Sequence, residues 1–200
     1  MASAPSPLPD LSHLFRTNLV DRLLDMTFGG RGGFPAPTQF QLTTAARLLD
    51  KSLAEWDSAR REFAAHSAAR DGIPKALLSP KPGVTRAFFR AIDHLETLID
   101  TLARLLRLVA ALEKDRNLGQ FAGMPLPTKR ERKAVRKFRN RIAHGDEDIQ
   151  KGKAGQGVAT ATLRPTPTGV ELQHQQLEFA DLARMLEQIH DYLRAAFQSQ

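Results

Sequence analysis

A chain of 200 residues fits one domain with a sizeable core, and a hydrophobic fraction of 42% excludes wholesale disorder. The absence of cysteine excludes disulfides, a thiol nucleophile and cysteine-ligated zinc. A formal charge of +7 with a pI of ≈ 10.1 points to a polyanionic partner. The excess is local, because Arg116 to Lys153 holds 11 basic and 4 acidic residues and so accounts for all of it. Nucleic acid fits that asymmetry better than a membrane, since no amphipathic terminal anchor accompanies it. The N-terminus lacks the charged start and apolar centre of a signal peptide, and no uncharged run approaches about 18 residues. The expectation is a cytoplasmic protein with no membrane contact.

In chain order, residues 1–10 are rich in Pro, Ser and Ala and read as a disordered N-terminus, followed by a single domain over 11–197. Asp10 or Ser12 caps a first helix through about Thr27, with Leu11, Leu14, Phe15, Leu19, Leu23 and Met26 on its apolar face. FGGRGGFPAPT breaks it; with no strand before it and no Lys-Ser/Thr after it, GGRGG reads as a loop rather than a phosphate cradle. Thr38 to about Ala69 is a long helix with Leu42, Ala45, Leu49, Leu53, Trp56 and Phe63 on one side, and DGIPKALLSPKPG follows as a proline-containing connection.

Val84 to Lys114 carries the most apolar pattern, with Phe88, Ile92, Leu95, Ile99, Leu102, Leu106 and Val109 at helical spacing, and reads as the central core helix. Its Asp93, Glu96 and Asp100 share a face with no partner placed to complete a metal site. They read as a solvated face or as neutralising a neighbouring basic helix. Past NLGQFAGMPLP comes a basic helix, then the polar stretch DEDIQKGKAGQG. From Gly157 to Gln176 the period becomes two, with VATATL and VELQHQ separated by RPTPTG, which predicts a β-hairpin with an exposed His174. Phe179 to about Phe197 is the last helix, with Leu182, Leu186, Ile189, Leu193 and Phe197 on one stripe. The fold class is therefore mainly α, a helical bundle with a small β-hairpin before the last helix.

The basic helix, TKRERKAVRKFRNRIAHG, carries the chemistry. Eight of the thirteen residues from Lys129 to Arg141 are Lys or Arg. Val135, Phe138 and Ile142 make a narrow apolar stripe for docking on a core. Lys129, Lys133, Arg136, Lys137, Asn140 and His144 share another face, where Asn140 sits at i, i+4 to hold the His144 imidazole. Arg139 lies five residues from His144, about 140° away on the wheel, so one straight helix cannot aim both at one phosphate. Either the helix breaks before His144, with Gly145 as a natural stop, or a second copy completes the site. Imidazole suits proton transfer at a ribose 2′-hydroxyl, and guanidinium suits charge on a transferring phosphoryl group. That chemistry requires no metal and no cofactor.

RNRIAH, with Asn after the Arg and Gly after the His, resembles the R-x(4-6)-H motif of the HEPN superfamily, helical domains common in prokaryotic RNA-targeting toxins and defence proteins. REFAAH, Arg61 to His66, has the same spacing and Arg184 to His190 one residue more, but His66 lies mid-helix among apolar residues and reads as structural. The resemblance implies an endoribonuclease acting as a homodimer, with catalytic Arg139, Asn140 and His144, and with Lys129, Lys133, Arg136, Lys137 and Arg141 holding the RNA backbone. It also implies an antitoxin or defence-system partner protein. One branch of that family carries Tyr two residues after the His, where this chain has Asp146. The alternative is an inactive HEPN-like dimer or partner module that holds RNA or a nucleotide on the same face.

Overall fold

The computed structural model describes residues 6–16, 33–71, 82–150, 163–173 and 175–198. Its helices are α1 (Ala36–Asp71), α2 (Pro82–Leu112), α3 (Lys129–Gln150) and α4 (Phe179–Gln198), with short 3-10 turns at Ser12–Arg16 and Arg116–Phe121. A small antiparallel sheet of β1 (Arg164–Pro165), β2 (Gly169–Leu172) and β3 (Gln175–Glu178) precedes α4. The protein is thus mainly α. No helix among the described residues is long and apolar enough to cross a membrane.

The centre of the bundle is α2, which is buried on more than one side. Ile92, Leu95, Ile99, Leu102, Leu106 and Val109 are buried as their spacing predicts, and so are Leu98, Leu105 and Leu112. A helix needs that wide an apolar arc when neighbours cover it on several flanks. On one flank α1 runs antiparallel to it: the Thr38 hydroxyl donates to Asp115 at 2.6 Å, His94 Nδ1 lies 2.7 Å from Glu55, and Arg90 lies 3.7 Å from Glu62. Phe88, expected in the core, is only partly buried and lies against the His66 ring at 5.2 Å. That contact gives His66 a packing role. On the far side of α1, Trp56 meets Phe179 of α4 edge-on at 6.2 Å.

The N-terminal segment is better ordered than its composition suggests. Leu8 is buried, and the Pro9 carbonyl accepts the Trp56 indole N–H at 2.9 Å. A buried tryptophan needs that acceptor, so the disordered stretch expected through residue 10 does not extend over residues 6–10. Leu11 and Leu14 are buried as expected, in a 3-10 turn rather than the start of a regular helix. The rest of that predicted helix, residues 29–32 of GGRGG, residues 72–81 of the proline-containing connection, residues 158–162 and His174 lie outside the described residues.

The predicted hairpin is part of a three-stranded meander. The first turn is shorter than RPTPTG: Arg164 and Pro165 belong to β1 and Gly169 opens β2, and Thr166 N–H donates to the Gly169 carbonyl at 2.8 Å across it. Gly169 is required there, because a Cβ would run into the Leu177 carbonyl across the β2–β3 pair. Gln173 makes the second turn at a φ of 45°, a left-handed conformation that a glutamine adopts only with support.

At its N-terminus α3 has a complete capping box. Thr128 N–H donates to Glu131 at 2.6 Å, and Glu131 N–H donates back to the Thr128 hydroxyl at 3.3 Å. Arg184 of α4 donates to the other Glu131 oxygen at 2.6 Å, fastening α3 to the last helix. Burial raises the Glu131 pKa, but the Thr128 bonds and Arg184 outweigh it and hold the carboxyl below its usual range. A depressed carboxylate stabilises the fold above its unfolded pKa, and that contribution is lost as pH falls through the folded value. Thr128→Ala is expected to cost about 1 kcal/mol, a fall in Tm of about 2–4 °C for a chain of this size. Glu131→Gln should also melt earlier at neutral pH, with its deficit shrinking as melts are taken down through the carboxylate range. A pH-independent deficit would show that the charge of Glu131 plays no part.

Candidate nucleic-acid interface

Three flanks of α3 have three different surroundings. Val135 and Phe138 are buried and Ile142 is half-buried, which docks the helix through the stripe its sequence predicts. On the α2 side, Arg132 reaches Glu113 at 2.8 Å and Arg139 Nε donates to Asp100 at 2.8 Å. Those two pairs run in opposite order along the two helices, so α2 and α3 are antiparallel. On the sheet side, Arg141 donates to the Gln173 carbonyl at 2.8 Å and lies 3.4 Å from its Oε1.

Arg141 therefore does not join the exposed cations with which the sequence grouped it. Its guanidinium braces the left-handed turn between β2 and β3, a structural task at the edge of the core. The expected neutralising role of the acidic face of α2 is met by Asp100, which takes Arg139, while His94 is taken by Glu55. No group of three His, Asp or Glu side chains able to hold a metal occurs among the described residues.

The remaining face is an exposed ridge of Lys129, Arg130, Lys133, Arg136, Lys137, Asn140 and His144. Its five cations make no ion pair among the described residues. Glu131, the one acidic residue in the first turn of the helix, is turned away towards Arg184. Among the described residues the ridge therefore presents positive charge with no carboxylate paired to it, the electrostatic footprint of a polyanion site.

The helix continues through Gly145 to Gln150. Glycine costs a helix interior only about 1 kcal/mol, and it ends a helix only when its left-handed conformation is used. Arg139 and His144 consequently stay on one uninterrupted helix, on which regular helical geometry sets them about 140° apart. His144 lies on the exposed ridge with Asn140 one turn before it. Arg139 leans along the α2 flank, with Nε engaged by Asp100 and a side chain still 42% exposed. Its terminal Nη groups make no other ion pair among the described residues.

A furrow lies on each side of the ridge. Between α3 and β3, one of about 330 Å³ is lined by Arg130, Lys133 and Lys137 with Gln175, Gln176 and Leu177. Between α2 and α3, one of about 280 Å³ is lined by Arg107 of α2, by Lys114 of the turn that follows it and by four cations of α3. Lys133 borders both and forms the crest. Sequence reasoning missed Arg130, Arg107 and Lys114. Arg107 stands seven residues after Asp100, so the spacing that puts Asp100 on the α3 flank puts it there too, whereas Lys114 lies in the turn just past the end of α2, where helical spacing no longer applies. No family model, curated protein or solved structure matches this chain.

Proposed function

We propose that the protein is a metal-independent endoribonuclease of the HEPN type, acting in the cytoplasm as a homodimer in which Arg139 of one chain meets His144 of the other. The observation that carries this reading is the unbroken α3, whose exposed cationic ridge leads to Asn140 and His144 while Asp100 holds Arg139 on a different flank. A two-fold axis beside the helix turns that divergence into convergence between chains, as an isologous interface requires. A neutral His144 takes the proton of the ribose 2′-hydroxyl, and O2′ attacks phosphorus. The P–O5′ bond breaks, and a protonated imidazole returns a proton to O5′. The products are a 2′,3′-cyclic phosphate and a 5′-hydroxyl. Asn140 orients the imidazole, and the free Nη groups of Arg139 stabilise the charge on the phosphorane. In a toxin or defence setting, an antitoxin or other partner protein would cover the ridge.

Incubating the purified protein with total RNA and with single-stranded DNA, both in EDTA, tests the reading. RNA should be cut to ends carrying 2′,3′-cyclic phosphate, while DNA, lacking the 2′-hydroxyl, stays intact. Equal cutting of DNA, or no cutting of RNA, contradicts it. The Arg139–Asp100 pair favours a second reading, an inactive RNA- or nucleotide-binding module, because it gives Arg139 a structural partner and leaves the ridge sufficient for binding alone. Tight binding of RNA without cleavage would select that one.

A further inference from the structure

We propose that the furrow between α2 and α3 is an anchoring subsite for a phosphodiester of a single-stranded polynucleotide, separate from the His144 end of the ridge. The proposal takes its ligand class from the RNA-directed reading above and does not depend on cleavage. Arg107 enters the furrow from α2 and Lys114 from the turn just past its end, and Lys129, Arg132, Lys133 and Arg136 enter it from α3. Its single lining carboxylate, Glu113, is already held by Arg132 at 2.8 Å. The other five cations make no ion pair among the described residues. Six cations thus meet one carboxylate around a single concavity, and five of them stay unpaired among the described residues, an arrangement that an entering anion stabilises.

The furrow exists because α2 is small where it is also apolar. Ala103 and Ala110 stand seven residues apart on this face, interleaved with Arg107 and Lys114, and with Leu106 they form the floor. Such a floor beneath a cationic rim takes a phosphate together with its sugar or base. At about 280 Å³ it admits one such unit and not the edge of a duplex. The residues that α3 contributes centre on Arg132 and Lys133, eleven or twelve residues before His144, or about 16–18 Å along the helix axis. A strand anchored there reaches His144 only after several phosphates, so the anchor matters for long substrates and is irrelevant for the shortest ones.

The test uses Arg107→Gln combined with Lys114→Gln, two exposed residues outside the Arg139–His144 machinery, with a thermal melt to confirm the fold. Binding of a long oligouridylate is measured against salt in a His144→Ala background, and cleavage of the oligomer and of the dinucleotide uridylyl-adenosine is measured with His144 present. The log-log salt slope should become shallower by about 1.4, from about 0.7 per lost contact on a single strand. Cleavage of the oligomer should slow while that of the dinucleotide stays unchanged. An unchanged slope, or an equal loss on the dinucleotide, overturns the subsite. Competition by polyglutamate as strong as that by the oligomer would assign the furrow to an acidic protein and overturn it too. A protein that binds the oligomer through these residues but cuts nothing would remove the nuclease reading and leave the subsite standing.

Discussion

His144→Ala is expected to slow RNA cleavage by about 10²–10⁴-fold, the usual contribution of a positioned general acid or base, while the thermal midpoint stays where it is. The residue is exposed and lies off the apolar stripe of α3, where substitutions shift stability by no more than about 0.5 kcal/mol. Arg139→Lys should lose a comparable part of the rate, and Asp100 explains why conserving the charge does not help. A guanidinium donates Nε to Asp100 and still offers both Nη groups to a phosphate. An ammonium is one point charge, so the Asp100 carboxylate draws it away from the substrate. Unchanged cleavage by His144→Ala protein would remove the enzymatic reading.

Phe138→Ala should act in the opposite way, on the fold before the chemistry. The ring is 1% exposed and anchors α3 to the core while forming one wall of the furrow beside β3. Truncating a buried phenylalanine costs about 3–5 kcal/mol, a large share of the roughly 5–15 kcal/mol that holds a domain together. For a chain of this length that is a fall in Tm of about 6–20 °C. Loss of RNA affinity should accompany it, because the cations of the ridge keep their alignment only while α3 is docked. A thermal midpoint within a degree or two of the unmodified protein would show that the stripe does not carry the docking.

The helices were legible because their information is periodic. Val135, Phe138 and Ile142 announce a docking face, and the seven-residue rhythm of α2 announces a core helix; the observed boundaries Pro82–Leu112 and Phe179–Gln198 lie within two residues of those expected. What periodicity does not supply is the neighbour across the gap. Arg139 and Asp100 are 39 residues apart, and the wheel gave each a face without saying that the two faces meet. Arg141 illustrates the same limit, since its partner at Gln173 is 32 residues on and belongs to a turn with no glycine or asparagine to advertise it. The third strand went unread for that reason, and because QQLE offers one apolar residue, Leu177, to set its alternation. Pro9 reads in sequence as part of a frayed tail because its partner, the Trp56 indole, is 47 residues away.

The claim that the site is shared between two chains is tested most directly by mixing Arg139→Ala protein with His144→Ala protein and measuring RNA cleavage. Each is expected to be inactive alone. In a mixed dimer one chain keeps Arg139 and the other keeps His144, so a single complete pair survives, and only across the interface. The divergence of about 140° along one straight helix predicts that activity returns on mixing, in proportion to the mixed dimers formed. Mixed dimers that form and stay inactive, or cleavage by an unmodified protein that is monomeric at the assay concentration, would contradict the shared site.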